Sequence, residues 1–153
     1  MIKINVVVKD KSWLKFLKKP EYYLKQKISK IKDDRLFKKK NCYAFSLSLS
    51  NSKEIKALNK KFRKKNKPTD ILSFPFFDKK NLKKNLKNKK LYLGDIAISY
   101  EEFLKKNRDD YKNGFIKIFI HGFLHLLNFD HKSNKEFKKM SLIENKLFQK
   151  IKG

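Results

Sequence analysis

All three histidines of the 153-residue chain fall in one eleven-residue window, His121-Gly122-Phe123-Leu124-His125-Leu126-Leu127-Asn128-Phe129-Asp130-His131. On a helix, His121 and His125 stand one turn apart on the same face, with Cβ atoms about 5–6 Å apart, so two imidazoles can share one ion. Asn128 lies a further turn along, and asparagine is second only to glycine at the left-handed position that ends a helix. A turn there brings His131 back toward the helix. The result is three nitrogen ligands with the fourth tetrahedral position left to water, the pattern of a catalytic zinc. A closed, structural site needs a fourth protein ligand, and Asp130 is the nearby candidate. Three histidines without a ligand would be costly to bury.

The spacing equals that of the H-E-x-x-H-x-x-G-x-x-H metalloproteases in its three ligands, but position 122 is glycine where those enzymes carry their catalytic glutamate. A peptide hydrolase would lack its general base. The pattern points instead to a substrate whose hydrolysis depends on metal-activated water and on stabilising negative charge.

Composition narrows the substrate class. Lys+Arg number 41 against 15 Asp+Glu, a formal charge of +26, which attracts polyanions and makes nucleic acid the natural partner. The abundance of Lys, Asn, Phe and Ile, with arginine only at 35, 63 and 108, also marks a biased composition that accounts for part of that charge. Cys42 is the single cysteine, so no disulfide can form within the chain, and a strand position there predicts a buried, inert thiol. The apolar run after Met1 is too short for a signal peptide. The stretch from Phe115 to Phe129 is broken by Lys117, His121 and His125 and is too short to cross a bilayer. These features predict a soluble, cytoplasmic protein.

The elements that must position the histidines follow from periodicity. Ile2 to Val8 and Cys42 to Leu49 read as strands, the second with Tyr43, Phe45, Leu47 and Leu49 on one face. Ser12 is a candidate cap for a helix starting at Trp13, and Pro20 suits the first turn of a second helical piece running to about Lys32. Asn51 with Glu54 starts a helix that ends near Lys65. Asp70 to Phe76 is a short, proline-terminated strand near an edge, and Leu91 to Ser99 is a fourth. Between these two strands, Lys79 to Lys90 reads as a solvated low-complexity loop. Ser99 with Glu102 caps a short helix, Asp109 or Asp110 caps the long helix through His121 and His125, and a last helix spans roughly Lys135 to Lys150. With no repeat and no boundary, the order predicts a single α+β domain over residues 1–153, about five helices on a four-stranded mixed sheet.

Three segments resemble the YbeY endoribonucleases, metal-dependent bacterial factors of ribosomal RNA maturation. Leu58-Asn59-Lys60-Lys61-Phe62-Arg63 with Lys67-Pro68-Thr69-Asp70-Ile71-Leu72-Ser73-Phe74-Pro75 is similar to the family's first signature, Leu93-Gly94-Asp95-Ile96 to its second, and His121 to His131 to its third. The chain departs from the family in having Asn128 and Phe129 where Gly and Tyr are usual. The resemblance implies zinc on His121, His125 and His131, with Arg63 in the cleft facing them, and His121 and Arg63 as the residues carrying catalysis. A guanidinium there can hold phosphate oxygens bidentately and stabilise transition-state charge. Without the signature, Arg63 would read as a solvated helix-end charge. Thr69, Asp70 and Ser73 are candidates to line the same cleft, and capping and turn roles explain Thr69 and Asp70 equally well. Asp95 and Asp130 either orient ligating imidazoles or sit in turns. No residue stands out as general acid toward the leaving oxygen.

The implied activity is single-strand-specific cleavage of ribosomal RNA of the small subunit, in maturation of the 3′ end of 16S RNA and in ribosome quality control. RNA, not DNA or a membrane, is the expected partner. The alternative is a non-catalytic, RNA-binding ribosome-assembly factor whose metal only stabilises the fold.

Overall fold

The strand Cys42–Ser50 (β2) alternates as its sequence demands: Tyr43, Phe45, Leu47 and Leu49 are buried on one face, while Ala44, Ser46 and Ser48 are half-buried on the other. In the computed structural model, which describes residues 1–152, β2 lies inside a four-stranded sheet with Ile2–Val8 (β1), Lys90–Ser99 (β4) and Ile71–Pro75 (β3). The order is β1-β2-β4-β3. β1 and β4 run parallel to β2, and β3 runs antiparallel to β4 along the outer edge. The sheet is therefore mixed, with its proline-terminated strand at an edge, where a missing ladder donor is tolerated.

One sheet face carries the main core. Tyr111–Leu126 (α5) lies against it, capped by Asp110, whose carboxylate accepts the Asn113 N–H. Ten of the sixteen residues of α5 are buried, which explains why its sequence shows a near-continuous apolar run and not a narrow stripe. Phe45 packs on Phe123 with ring centroids 4.9 Å apart and on Phe119 at 5.9 Å. Beyond α5, the helix Asn134–Ile151 (α6) buries Met140, Leu147 and Ile151. Pro20–Ser29 (α1) and the Lys11–Lys15 turn complete this layer, with Trp13 fully buried and its indole N–H donating to the Ser50 carbonyl at 2.8 Å. The opposite face is covered only by Ser52–Arg63 (α2), over a small cluster of Ile55, Leu72 and Ala97.

Several local expectations are corrected. Residues Lys11–Lys15 form a single 3-10 turn capped by Asp10, which accepts the Ser12 N–H at 2.9 Å, so Ser12 is not the cap. α1 stops at Ser29, short of Lys32. The Lys-Asn segment is not an unstructured loop: Lys79–Asn85 (α3) is a two-turn helix. Asp78 caps it by accepting the Asn81 N–H at 2.7 Å, and its Leu82 is buried. One apolar anchor and one cap outweigh the polar composition. Cys42 is half-buried at the start of β2. Tyr100–Lys106 (α4), capped by Ser99, brings the α-helices to six.

Candidate metal centre

α5 places His121 and His125 on one face, and their Nε2 atoms stand 3.1 Å apart. Two nitrogens about 2.0–2.1 Å from a tetrahedral ion are themselves about 3.3 Å apart, so this pair is already at ligand spacing. The helix ends where Asn128 adopts φ 67°. Its N–H donates to the His125 carbonyl at 2.9 Å, and the Phe129 N–H reaches back to the Leu124 carbonyl at 3.0 Å. This is the paired 6→1 and 5→2 closure of a Schellman turn, and the Asn128 amide fixes it further by donating to the Phe77 carbonyl at 2.8 Å. Leaving that turn, the chain returns His131 to the pair, with ring centroids 5.6 Å from His121 and 5.2 Å from His125. One nitrogen from each ring lies within 4.8 Å of the others. His131 is exposed, and the group can hold a metal ion.

Each helical ring is held from behind. His121 Nδ1 is 2.7 Å from Glu144 Oε1 on α6, and the Phe129 carbonyl hydrogen-bonds the His125 ring. Partners of this kind fix tautomer and orientation, so that the inward nitrogen carries the lone pair. Burial, reinforced by any charge on His121 and His131, depresses the His125 pKa below its ordinary 6.5, against an opposing pull from Asp130. The ring is kept neutral, as metal ligation requires.

Glu144 is the residue that sequence reasoning missed. It lies four residues after Met140 and three before Leu147, both buried, so a single acid on the packed face of the last helix was the available signal. The carboxylates first considered stand elsewhere. Asp130 accepts the His131 backbone N–H at 2.8 Å, which lowers its pKa despite some burial; it shapes the turn at the edge of the cleft. Asp95 lies on the opposite sheet face, accepting the Tyr92 hydroxyl at 2.6 Å, and is not placed behind any of the three rings.

Arg63 lines the same cavity as the three histidines. Residue Lys64, with φ 57°, ends α2 in the left-handed conformation. That stop leaves Arg63 exposed at the rim of a cavity of about 550 Å³, whose wall also includes the three histidines, Thr69, Asp70 and Ser73. Asp70 pairs with Lys106 at 3.3 Å and accepts from the Thr69 hydroxyl at 3.3 Å. Ser73 donates to the Gly122 carbonyl at 3.0 Å, tying β3 to α5.

The same contact shows why position 122 is glycine. A Cβ there would lie 2.5 Å from Ile71 Cδ1, 3.1 Å from Ser73 Oγ and 3.3 Å from Ile96 Cγ2. A glutamate would have to displace all three, so the protease base has no room against this sheet. Gly94 meets a stricter limit: at φ 134° its Cβ would fall 2.2 Å from the Phe74 carbonyl oxygen, where β4 meets β3.

Fold and site define an α+β protein with a cleft whose three histidines can hold a metal ion and whose wall includes an arginine. The profile of the family described as Endoribonuclease YbeY matches residues 9–152. The chain is 46% identical to Endoribonuclease YbeY of Pelagibacter ubique over 99% of its own length and 97% of that protein's. It is 34% identical to that of Ehrlichia canis, covering 99% and 93%. A Thermotoga maritima protein solved in solution superposes with a TM-score of 0.55 at 26% identity, covering 99% of this chain and 89% of that one. The chain belongs to the Endoribonuclease YbeY family. Among the described residues, no helix is long and apolar enough to cross a membrane.

Proposed function

We propose that the protein is a zinc-dependent endoribonuclease that cuts single-stranded RNA, acting on small-subunit ribosomal RNA in maturation of its 3′ end and in quality control of ribosomes, in the cytoplasm. The observation that carries this reading is the convergence of His121, His125 and His131 in a cleft that Arg63 also lines, in a chain of a family named for endoribonuclease activity.

The donor set fits zinc: three imidazoles, two held by hydrogen bonds from behind. When bound, zinc supplies Lewis acidity that makes hydroxide available near neutral pH. The protein's own groups do the rest. Glu144 holds the His121 ring through Nδ1, and the Schellman turn at Asn128 sets the reach of His131. Arg63 grips the scissile phosphate by two parallel N–H donors and stabilises the charge that grows on its oxygens as the phosphorus becomes five-coordinate. A cleft of about 550 Å³ whose wall includes an exposed arginine suits a single strand that can splay its backbone across it.

The test is cleavage of ribosomal RNA by protein freed of metal and reloaded with zinc, beside His125→Ala and Arg63→Ala. The reading expects cleavage by the reloaded protein, loss of it in both variants, and an Arg63→Ala protein that melts as the wild type does. Equal cleavage by all three would sink it.

A further inference from the structure

We infer that the open face of the sheet is a second RNA-binding surface, a stacking groove for unpaired bases next to the scissile phosphate. The inference rests on the nuclease reading for its polynucleotide and on separate observations for its site. A groove of about 600 Å³ runs over the sheet face that α2 leaves uncovered, floored in part by Asn5, Ser46 and Asp95. Phe62 and Phe74 belong to its wall and to the wall of the histidine cleft alike. The two cavities therefore adjoin at one pair of rings, whose centroids are 5.4 Å apart.

The aromatic row extends past that pair. Phe76 follows Phe74 on the same side of the chain at the end of β3, 66% exposed, and its centroid is 5.9 Å from that of Tyr92, 38% exposed. Tyr92 is pinned over the sheet by hydrogen bonds to Asp95 and Ser46. Exposed rings on and just past the strands, ordered against one another, supply π-faces on which successive bases stack without sequence preference.

The charge pattern selects the occupant. Lys9, just past β1, lines the groove, Lys3 on β1 and Lys90 on β4 are exposed on the strands that carry it, and Lys61 lies 5.2 Å from the centre of the Phe62 ring. Of the acids in the groove, Glu54 is neutralised by Lys9 at 3.3 Å, and Asp95 is held by the Tyr92 hydroxyl. Apolar rings with polar hydroxyl and amide groups between them, rimmed by lysines on a chain of charge +26, suit bases on the floor and phosphates at the rim. An apolar protein partner would bury the Asp95 carboxylate and the Asn5 amide away from water, which is costly.

The experiment is binding of a fluorescent 2′-O-methyl adenosine 12-mer to the full-length wild type, to Phe76→Ala/Tyr92→Ala and to Phe76→Trp. An abasic strand of equal charge is run in parallel. We expect the double alanine variant to bind the 12-mer about tenfold or more weakly and the abasic strand as the wild type does. The indole introduced at position 76 should be quenched by the 12-mer; the native Trp13 is fully buried and serves as the silent background. The inference is overturned by equal loss on both strands, by no loss on either, by no binding of the 12-mer to the wild type, or by a wild-type dimer that the double variant abolishes. A wild type that binds the 12-mer through these rings but cuts no RNA would remove the nuclease reading and leave the groove. A wild type that cuts RNA while the variants bind unchanged would do the reverse.

Discussion

Glu144 Oε1 stands 2.7 Å from His121 Nδ1, and it comes from a different helix. The last helix therefore sets the orientation of the first ligand. Glu144→Ala is expected to weaken zinc binding by about 10–100-fold, and Glu144→Gln, whose amide oxygen can still accept from Nδ1, to lose less. Competition with a chromogenic chelator measures both. Equal zinc affinity in all three proteins would show the contact to be incidental.

Asn128 makes the turn that returns His131, and it does so at φ 67°. Asn128→Ala combines a left-handed alanine with a lost bond to Phe77, so urea unfolding should show a loss of about 1–2 kcal/mol. Asn128→Gly, at ease in that conformation, is expected to lose less. If alanine and glycine proved equal, backbone conformation would not be what asparagine provides here.

Gly122 is a packing position. Gly122→Ala drives a methyl to 2.5 Å from Ile71 Cδ1, and crowding of this kind costs about 1–3 kcal/mol. Ile71→Val removes the atom that is struck. Combined with Gly122→Ala it should recover part of that loss, which a double-mutant cycle by thermal or urea unfolding reads directly. Additive losses would place the clash elsewhere.

Two groups predict separate acid steps in the stability of the metal-free protein. The folded-state pKa of His125 lies below 6.5 because burial disfavours its charge. Between those values the unfolded chain binds more protons, so stability falls as pH drops from 6.5 toward the folded value. Asp34 is almost fully buried, and its burial alone would raise its pKa. Lys150 at 2.7 Å, the Leu36 N–H and Lys146 at 3.3 Å lower it overall. Its contribution is complete above 3.8 and is lost as pH falls through the lower folded value. Urea unfolding across pH in the presence of chelator should show both declines, with His125→Gln removing the upper one and Asp34→Asn the lower. Survival of the upper decline in His125→Gln would assign it to another group.

Much of this architecture was readable because its signals are local. The alternation of Tyr43, Phe45, Leu47 and Leu49 specifies a strand and its buried face, and Asn51, Ser99 and Asp110 cap their helices where their side chains reach the next free N–H groups. The histidine spacing and Asn128 carried the centre for the same reason: helix, turn and return lie within eleven consecutive residues. What sequence did not carry was assembly. Glu144 meets His121 across 23 positions and Asp34 meets Lys150 across 116, contacts set by how α6 lies on its neighbours. Asp95 sits beside a strand signature in sequence, yet the two-residue period of β4 turns it to the other face. The helix Lys79–Asn85 was hidden by its composition, since Leu82 anchors it to a surface that only the folded protein offers.

The central claim is that one ion is held by these three histidines with its outer side open. X-ray absorption at the zinc edge of the zinc-loaded protein tests it most directly. The expected spectrum contains three imidazole rings at about 2.0–2.1 Å and one further light oxygen ligand, falling to two rings in His131→Ala. A sulfur ligand, or an imidazole count that His131→Ala leaves unchanged, would contradict it.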